Sequence, residues 1–179
     1  TNPDEKYQKA LELVQQTEGV GIVYAATVKA AEEMYTILED AGESVTIYHG
    51  KLHASERKDH QDMFMDGERR VMVATNAFGM GIDKSDTRFV IHLQVPANLE
   101  AYYQESGRAG RDGQDAECVL LYFQDDKRVQ QFFLAKHYPH AAELRALYEA
   151  VAELASAGAV TFERISQIDE EVHASKLKV

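Results

Sequence analysis

Cysteine is nearly absent from this sequence, since Cys118 is the single one among 179 residues. One thiol cannot build a disulfide framework or a zinc site of several cysteines. Apolar residues make up 45% of the chain, yet no run of them is long enough for a membrane span, and none follows a basic start as in a secretion signal. These absences predict an ordinary cytoplasmic domain, alone or with a small appendage.

Positive charge is also scarce. The sequence has 19 lysines and arginines against 30 aspartates and glutamates, and its formal net charge is −11. Generic nucleic-acid binders rely on clustered basic residues, so the composition argues against that class. Backbone N–H groups at helix N-termini can still hold phosphates without side-chain charge. Any contact with nucleic acid is therefore predicted to be narrow and geometric.

Short apolar segments alternate with amphipathic segments along most of the chain. Strands are predicted at 21–25, 45–48, 70–74, 89–93 and 118–123. Thr27 and Asn98 are predicted to cap helices, and Gly42 and Gly67 are predicted to end helices. The alternation predicts an α/β fold with right-handed βαβ crossovers and a mainly parallel sheet covered by helices on both faces. Ligands of such sheets lie at the carboxyl ends of the strands.

The pattern changes after Pro139. Apolar residues at helical spacing (Leu144, Leu147, Val151 and Leu154) precede Gly158, and no strand is predicted among them. We therefore predict a domain at 1–139 and a short helical extension at 140–179. The extension is similar to the first helices of a winged-helix module, although other small helical folds match the pattern equally well.

A run rich in glycine and arginine carries the clearest chemical signal. Residues 104–113 read Gln-Glu-Ser-Gly-Arg-Ala-Gly-Arg-Asp-Gly. Arg108 and Arg111 are three positions apart, so both can face the same way on one helical turn. Guanidinium groups match phosphate oxygens and stay charged, as an arginine finger requires. The competing interpretation is a glycine-rich surface turn whose arginines pair with Glu105 and Asp112.

Two blocks of the sequence resemble consecutive motifs of RecQ-family DNA helicases. One is 102–113, which reads YYQESGRAGRDG, and the other is 73–84, which reads VATNAFGMGIDK. A Tyr48-His49-Gly50 segment is similar to a further loop of that family. The resemblance spans about residues 19–139. It implies that this region is the second RecA-like motor domain of an ATP-dependent helicase that acts in DNA repair and recombination.

The resemblance also implies roles for individual residues. Arg108, Arg111 and Gln104 would face ATP held by a first, N-terminal RecA-like domain. The remaining nucleotide-side residues would be Gly79, Asp83 and Gly107. The residues implied in gripping single-stranded DNA are Thr27, His49, Gly50, Thr75, Asn76 and Lys84. The implied partners are this N-terminal domain and single-stranded and duplex DNA, with no membrane, and a bacterial protein would associate with the nucleoid.

The cofactors implied are ATP and Mg²⁺, held mainly by the first domain. The sequence contains neither the phosphate loop Gly-x-x-x-x-Gly-Lys-Ser/Thr nor an acidic Mg²⁺ motif, so the chain alone is predicted to be inactive. It also lacks the four-cysteine zinc module that often follows this domain in the family, so no zinc is expected. The nearby histidines His49, His53 and His60 have no further ligands at usable spacing, and we interpret none of them as a metal ligand.

The sequence departs from the family pattern at two further places. Gln94 stands where many relatives have an acidic residue, and residues 25–29 lack the usual cysteine and basic residue. Two other functions compete with this interpretation. An RNA helicase domain is disfavoured because Tyr103-Gln104-Glu105 replaces the His-Arg opening of the RNA-acting relatives. A binding or scaffold module that kept the fold without the motor would suit the acidic charge.

Overall fold

The computed structural model describes residues 3–75, 83–123 and 126–127, and five helical positions further on. The helices are α1 (Pro3–Gln16), α2 (Val28–Asp40), α3 (Ala54–Met65) and α4 (Leu99–Ser106). The strands are β1 (Val20–Tyr24), β2 (Val45–Tyr48), β3 (Val71–Ala74), β4 (Thr87–His92) and β5 (Glu117–Leu120). Within these ranges, no helix has the length and apolarity that a membrane crossing requires.

The five strands form one sheet in the order β2-β3-β1-β4-β5. All four pairings are parallel. Strand β1 lies at the centre, and its Gly21 pairs with Val71 on one side and Phe89 on the other. The sheet has the RecA-like arrangement, which confirms the predicted fold class.

Helices cover both faces of the sheet because side chains alternate along each strand. On one face, Val23 of β1 packs with Val14 of α1 and Met34 of α2. On the other face, Ile22 packs with Phe64 of α3. Strands buried on both sides read as continuous apolar runs, which is why the sequence located them well.

The helix ends also follow the sequence. The Thr27 hydroxyl accepts a hydrogen bond from the Ala30 N–H at 3.1 Å, and the Asn98 side chain accepts one from Ala101 at 2.8 Å. Gly42 and Gly67, just beyond α2 and α3, have φ of +82° and +79°. Glycine adopts this left-handed conformation without the steric cost other residues incur. The predicted caps and stops are confirmed.

The chain divides into two compact units, 1–127 and 128–179. In the second unit, the described residues (Arg145, Tyr148, Glu149, Ala152 and Ser156) are helical and exposed. They fall within the helix predicted from Leu144 to Leu154 and just beyond it. The boundary predicted at 139/140 and the remaining predicted helices lie outside the described residues and stay predictions.

Candidate functional site

Three loops meet at the carboxyl edge of the sheet. They follow β1, β2 and β3, which are neighbours in the strand order. The Ala25 N–H donates to the Ala74 carbonyl at 2.8 Å, and the Thr75 N–H donates to the Tyr48 carbonyl at 3.1 Å. Four of the predicted DNA-binding residues (Thr27, His49, Gly50 and Thr75) are thereby brought to one edge.

The side chain of Gln94 links a fourth loop to this edge. Its Oε1 atom accepts a hydrogen bond of 2.8 Å from the Ala26 N–H, just before the Thr27 cap. Gln94 follows β4, so the contact ties the loop after β4 to the loop after β1. An acidic residue there could accept the same bond, and the amide does so without adding negative charge. The departure from the family pattern therefore leaves the α2 N-terminus well supported.

His49 is buried at this edge with 4% of its surface exposed. Its Nε2 atom lies 3.6 Å from a carboxylate oxygen of Glu32, whereas Nδ1 has no hydrogen-bond partner among the described residues. The adjacent Gly50 is exposed. Backbone groups of this loop are therefore more accessible to a ligand than the imidazole.

Burial lowers the pKa of His49 below its ordinary value of 6.5. The positive charges of Lys51 and His60 lower this pKa further, whereas the carboxylates of Glu32 and Glu56 raise it. The unfolded chain then binds the proton more readily than the folded chain. The contribution of neutral His49 to stability is full above about pH 6.5 and is lost as the pH falls towards the folded-state pKa.

We expect His49→Gln to show a smaller loss of melting temperature between about pH 7.5 and 5.5 than the wild type. Parallel losses in the two proteins would contradict this.

The loop 107–113 (the arginine loop) leaves α4 and packs along β4. The Gly110 N–H donates to the Thr87 carbonyl at 2.9 Å, and the Asp112 N–H donates to the Ser85 carbonyl at 3.2 Å. Gly110 has φ of +64°, and a Cβ atom there would lie 2.8 Å from the Gln114 carbonyl oxygen. Only glycine meets both constraints, so it is required for the path of the loop.

Arg108 and Arg111 line one shallow cleft together with Lys84 and Thr87. Their environments differ. Arg108 is buried, with 8% of its surface exposed, whereas 40% of the Arg111 side chain is exposed. The two arginines lie near each other, and their common direction stays a prediction.

Arg111 is held by two hydrogen bonds. Its Nη1 group donates to Asp83 Oδ1 at 2.7 Å, and its Nε group donates to the Gly107 carbonyl at 3.0 Å. The Asp83 side chain is 79% exposed. Three of the predicted nucleotide-side residues therefore lie together. An exposed ion pair of this kind contributes little to stability, so Arg111 can exchange partners at low cost.

The acidic residues of the arginine loop region have other partners. Asp112 pairs with Arg88, whose hydrogen bond lowers the pKa of Asp112. Glu105 lies 2.9 Å from His92. The alternative of an arginine turn closed on Asp112 thus does not describe Arg111, which pairs with Asp83.

Sequence reasoning did not assign roles to Tyr24 and His92, which lie under this loop. Both belong to apolar strand segments and are 3% and 0% exposed. Burial raises the pKa of the Tyr24 hydroxyl, and a hydrogen bond from Arg108 opposes that shift. The sequence did contain one indication of such a role. A histidine inside a predicted buried strand is unusual, and His92 is such a residue.

The remaining predicted residues are distributed as follows. Gln104 is exposed on α4 and donates to Glu100 at 3.2 Å. Lys84 donates to the Met65 carbonyl at 3.2 Å and precedes the amino end of β4, apart from the other DNA-binding candidates. Gly79 and Asn76 lie outside the described residues. The roles predicted for all four stay predictions.

The positions of the possible metal ligands bear on whether the site could hold a metal ion. Over the described ranges, no three or more His, Cys, Asp or Glu side chains are arranged to hold a metal ion. The one cysteine, Cys118, is exposed on β5.

The fold and the arginine cleft define a RecA-like helicase domain. A model of the family "Helicase conserved C-terminal domain" matches residues 5–113, which is more than half of the chain, and the chain belongs to that family. Among curated proteins, it is 53% identical over 114 residues to the ATP-dependent DNA helicase RecQ of Bacillus subtilis, with 64% of this chain and 19% of the relative covered. It is 41% identical over 129 residues to the ATP-dependent DNA helicase Q5 of Rattus norvegicus, with 72% and 13% covered.

These relatives confirm the resemblance to the second motor domain of RecQ-family helicases. The chain spans about a fifth or less of the length of the two relatives. Solved structures agree on the fold. The C-terminal domain of the DEAD-box protein Dbp5 is 26% identical with a TM-score of 0.60, and 74% of this chain and 80% of that one are covered. A DEAD-box protein of Methanococcus jannaschii has a TM-score of 0.64 at 26% identity, with 76% and 37% covered.

Proposed function

We propose that this domain is the second motor domain of an ATP-dependent DNA helicase and supplies Arg111 as an arginine finger to ATP bound by a first motor domain. The observation that carries the proposal is the cleft shared by Arg108 and Arg111. Its two guanidinium groups come from a single loop, and one of them is exposed. Its similarity to RecQ of Bacillus subtilis and Q5 of Rattus norvegicus, which are named as ATP-dependent DNA helicases, supports the choice of DNA.

The exposed guanidinium group of Arg111 suits a phosphate group. Arg111 already binds an anion, since it pairs with the Asp83 carboxylate at 2.7 Å. Phosphate oxygens offer the same acceptor geometry with more negative charge. In this proposal Arg111 leaves Asp83 and neutralises charge that develops on the transferred phosphoryl group. Arg108 stays near Tyr24 and forms the fixed wall of the cleft.

In this proposal the first domain binds ATP and this domain supplies the arginine, which agrees with the absence of a phosphate loop from the sequence. ATP supplies the phosphoanhydride bond, and Mg²⁺ supplies charge neutralisation next to it. Both would be held mainly by the first domain, and the chain alone would not hydrolyse ATP. Closure of the two domains around ATP would bring Arg111 to the cleft of the partner domain.

The carboxyl edge of the sheet is the proposed grip for single-stranded DNA. Thr27 caps α2 at this edge, and the first N–H groups of a helix favour phosphate oxygens. The exposed Gly50 allows close approach of a DNA backbone. Thr75 and Asn76 would extend the grip along the β3 loop. Such backbone contacts agree with a chain whose net charge is −11, because they need no basic patch.

The rival function is a binding or scaffold module that kept the helicase fold. The acidic charge favours it. Hydrolysis of ATP by the full-length protein, with and without single-stranded DNA, separates the two. The motor proposal expects DNA to raise the turnover severalfold or more. A full-length protein without DNA-stimulated turnover, but with measurable binding of DNA, would establish the scaffold function instead.

A further inference from the structure

A buried polar pair lies beneath the arginine loop. His92, the last residue of β4, is 0% exposed, and its Nε2 atom is 2.9 Å from Glu105 Oε2 on α4. The Glu105 side chain is 14% exposed. Because the carboxylate can only accept when ionised, the imidazole donates from Nε2, and Nδ1 carries the lone pair in the neutral form.

Burial of this polar pair destabilises the fold relative to an apolar pair at the same position. The His92 Nδ1 atom is buried without a hydrogen-bond partner among the described residues. A buried polar atom that has lost its water and gained no partner destabilises the fold. An aromatic hydrocarbon side chain would fill the same space without that cost. The polar pair therefore calls for a role that packing alone does not supply.

The contacts of His92 lead to Arg108 by two routes. Its ring stacks on Tyr24, with centroids 5.6 Å apart and planes at 21°, and the Tyr24 hydroxyl accepts a hydrogen bond from Arg108. On the other side His92 binds Glu105, whose backbone carbonyl accepts from the Arg108 N–H at 3.3 Å. His92 thus contacts two residues that bind Arg108, Tyr24 at its side chain and Glu105 at its backbone.

A third contact orients the helix that leads into the loop. The rings of His92 and Tyr102 have centroids 5.1 Å apart and are tilted by 45°. Tyr102 and Glu105 lie three positions apart on α4, so both face His92 on one side of the helix. The imidazole therefore contacts α4 at two successive turns, and Arg108 follows two residues after the helix ends.

We propose that His92 is a positioning residue which, through its hydrogen bond to Glu105, holds Arg108 in the cleft. The effect on ATP hydrolysis rests on the proposed function. The effect on the geometry of Arg108 does not, because it depends only on contacts within this chain. Two separate measurements follow from this division.

The first measurement uses the 179-residue chain and two matched pairs of variants. His92→Phe and Glu105→Ala remove the hydrogen bond, whereas His92→Gln and Glu105→Gln keep a donor or acceptor near the same place. The readout is the Nε–Hε signal of Arg108 in ¹⁵N-correlated NMR spectra, together with its rate of exchange with water. Arg70, which is anchored at the amino edge of the sheet by carbonyls of Val14 and Thr17, supplies the control signal.

We expect His92→Phe and Glu105→Ala to shift the Arg108 signal and speed its exchange, and the two glutamine variants to stay close to the wild type. The Arg70 signal should stay unchanged in all four. An unchanged Arg108 signal in both hydrogen-bond-breaking variants overturns the proposal. If His92→Phe does not fold, the Glu105 pair decides the question alone.

The second measurement uses the full-length protein. A displaced Arg108 should lower kcat about tenfold or more, with little change in KM for ATP or in affinity for single-stranded DNA, and His92→Gln should recover most of the loss. Equal loss in His92→Phe and His92→Gln, at equal melting temperature, counts against positioning through the hydrogen bond. If Arg108 moves but the wild type shows no DNA-stimulated turnover, the positioning stands and the proposed motor function falls.

Discussion

Replacement of Arg111 by alanine should abolish ATP turnover in the full-length protein while nucleotide binding persists. Arginine fingers contribute roughly 10³–10⁵ in rate where they have been measured in GTPases, and we expect a loss of at least about 10³ here. The loss should fall on kcat, because the guanidinium acts on charge that develops during transfer. Turnover at saturating ATP and binding of a fluorescent ATP analogue measure the two quantities.

Because Arg111 is exposed, its substitution tests turnover separately from stability. Its side chain is 40% exposed and its partner Asp83 is 79% exposed, so the substitution should leave the fold intact. Arg69→Ala is the matched control, since it removes an exposed arginine from the turn before β3 and should keep full turnover. Unchanged hydrolysis in the Arg111 variant would remove the arginine-finger assignment.

Arg108→Ala should also lower turnover, with an added loss of stability because Arg108 is buried.

Among the described glycines, replacement of Gly21 by alanine should cause the largest loss of stability, because its added methyl group makes the closest contact. A Cβ atom at Gly21 would lie 2.1 Å from the ring of Phe89, which is 1% exposed on the neighbouring strand β4. Overpacking in a rigid core forces side chains and backbone to shift. We expect a loss of about 3 kcal/mol in the free energy of unfolding, measured by urea denaturation of the chain.

A second substitution tests the cause. Phe89→Leu should destabilise the protein by itself, since it leaves a cavity. Combined with Gly21→Ala, it should cost much less than the sum of the two, because the smaller side chain makes room for the methyl group. Gly50→Ala, where nothing lies within 4 Å of the added atom, should change stability by less than about 0.5 kcal/mol. Additive effects of the first two substitutions would contradict the steric explanation.

Strand positions were predicted well except where pairing with a neighbouring strand decides where a strand begins or ends. The strand 45–48 was predicted as it occurs, whereas the last strand was predicted at 118–123 and ends at Leu120. Its apolar run continues, but among the described strands β5 pairs with β4 alone, and β4 ends at His92. Strand β4 begins earlier than predicted because Thr87 pairs with Val20 of β1. Local composition carries no information on either partner.

The candidate site was predicted in part. The motifs located Arg108 and Arg111, and the caps and loops located Thr27 and Gly50. The different exposure of the two arginines could not be foreseen, since it depends on Tyr24 and Ile22 of β1, which are more than 80 positions away along the chain from Arg108. His92 was counted within an apolar strand, and its partner Glu105 within the motif. No spacing rule connects the two.

The sequence by itself determined the alternation of strands and helices, the helix caps, the parallel class of the sheet and the family of the domain. These features depend on neighbouring residues, through the period of apolar positions and the backbone preferences of threonine, asparagine and glycine. Only the tertiary structure decided which arginine is exposed, which acid holds it and which buried histidine supports its neighbour. The order β2-β3-β1-β4-β5 sets β1 beside β4, and burial and pairing follow from that adjacency.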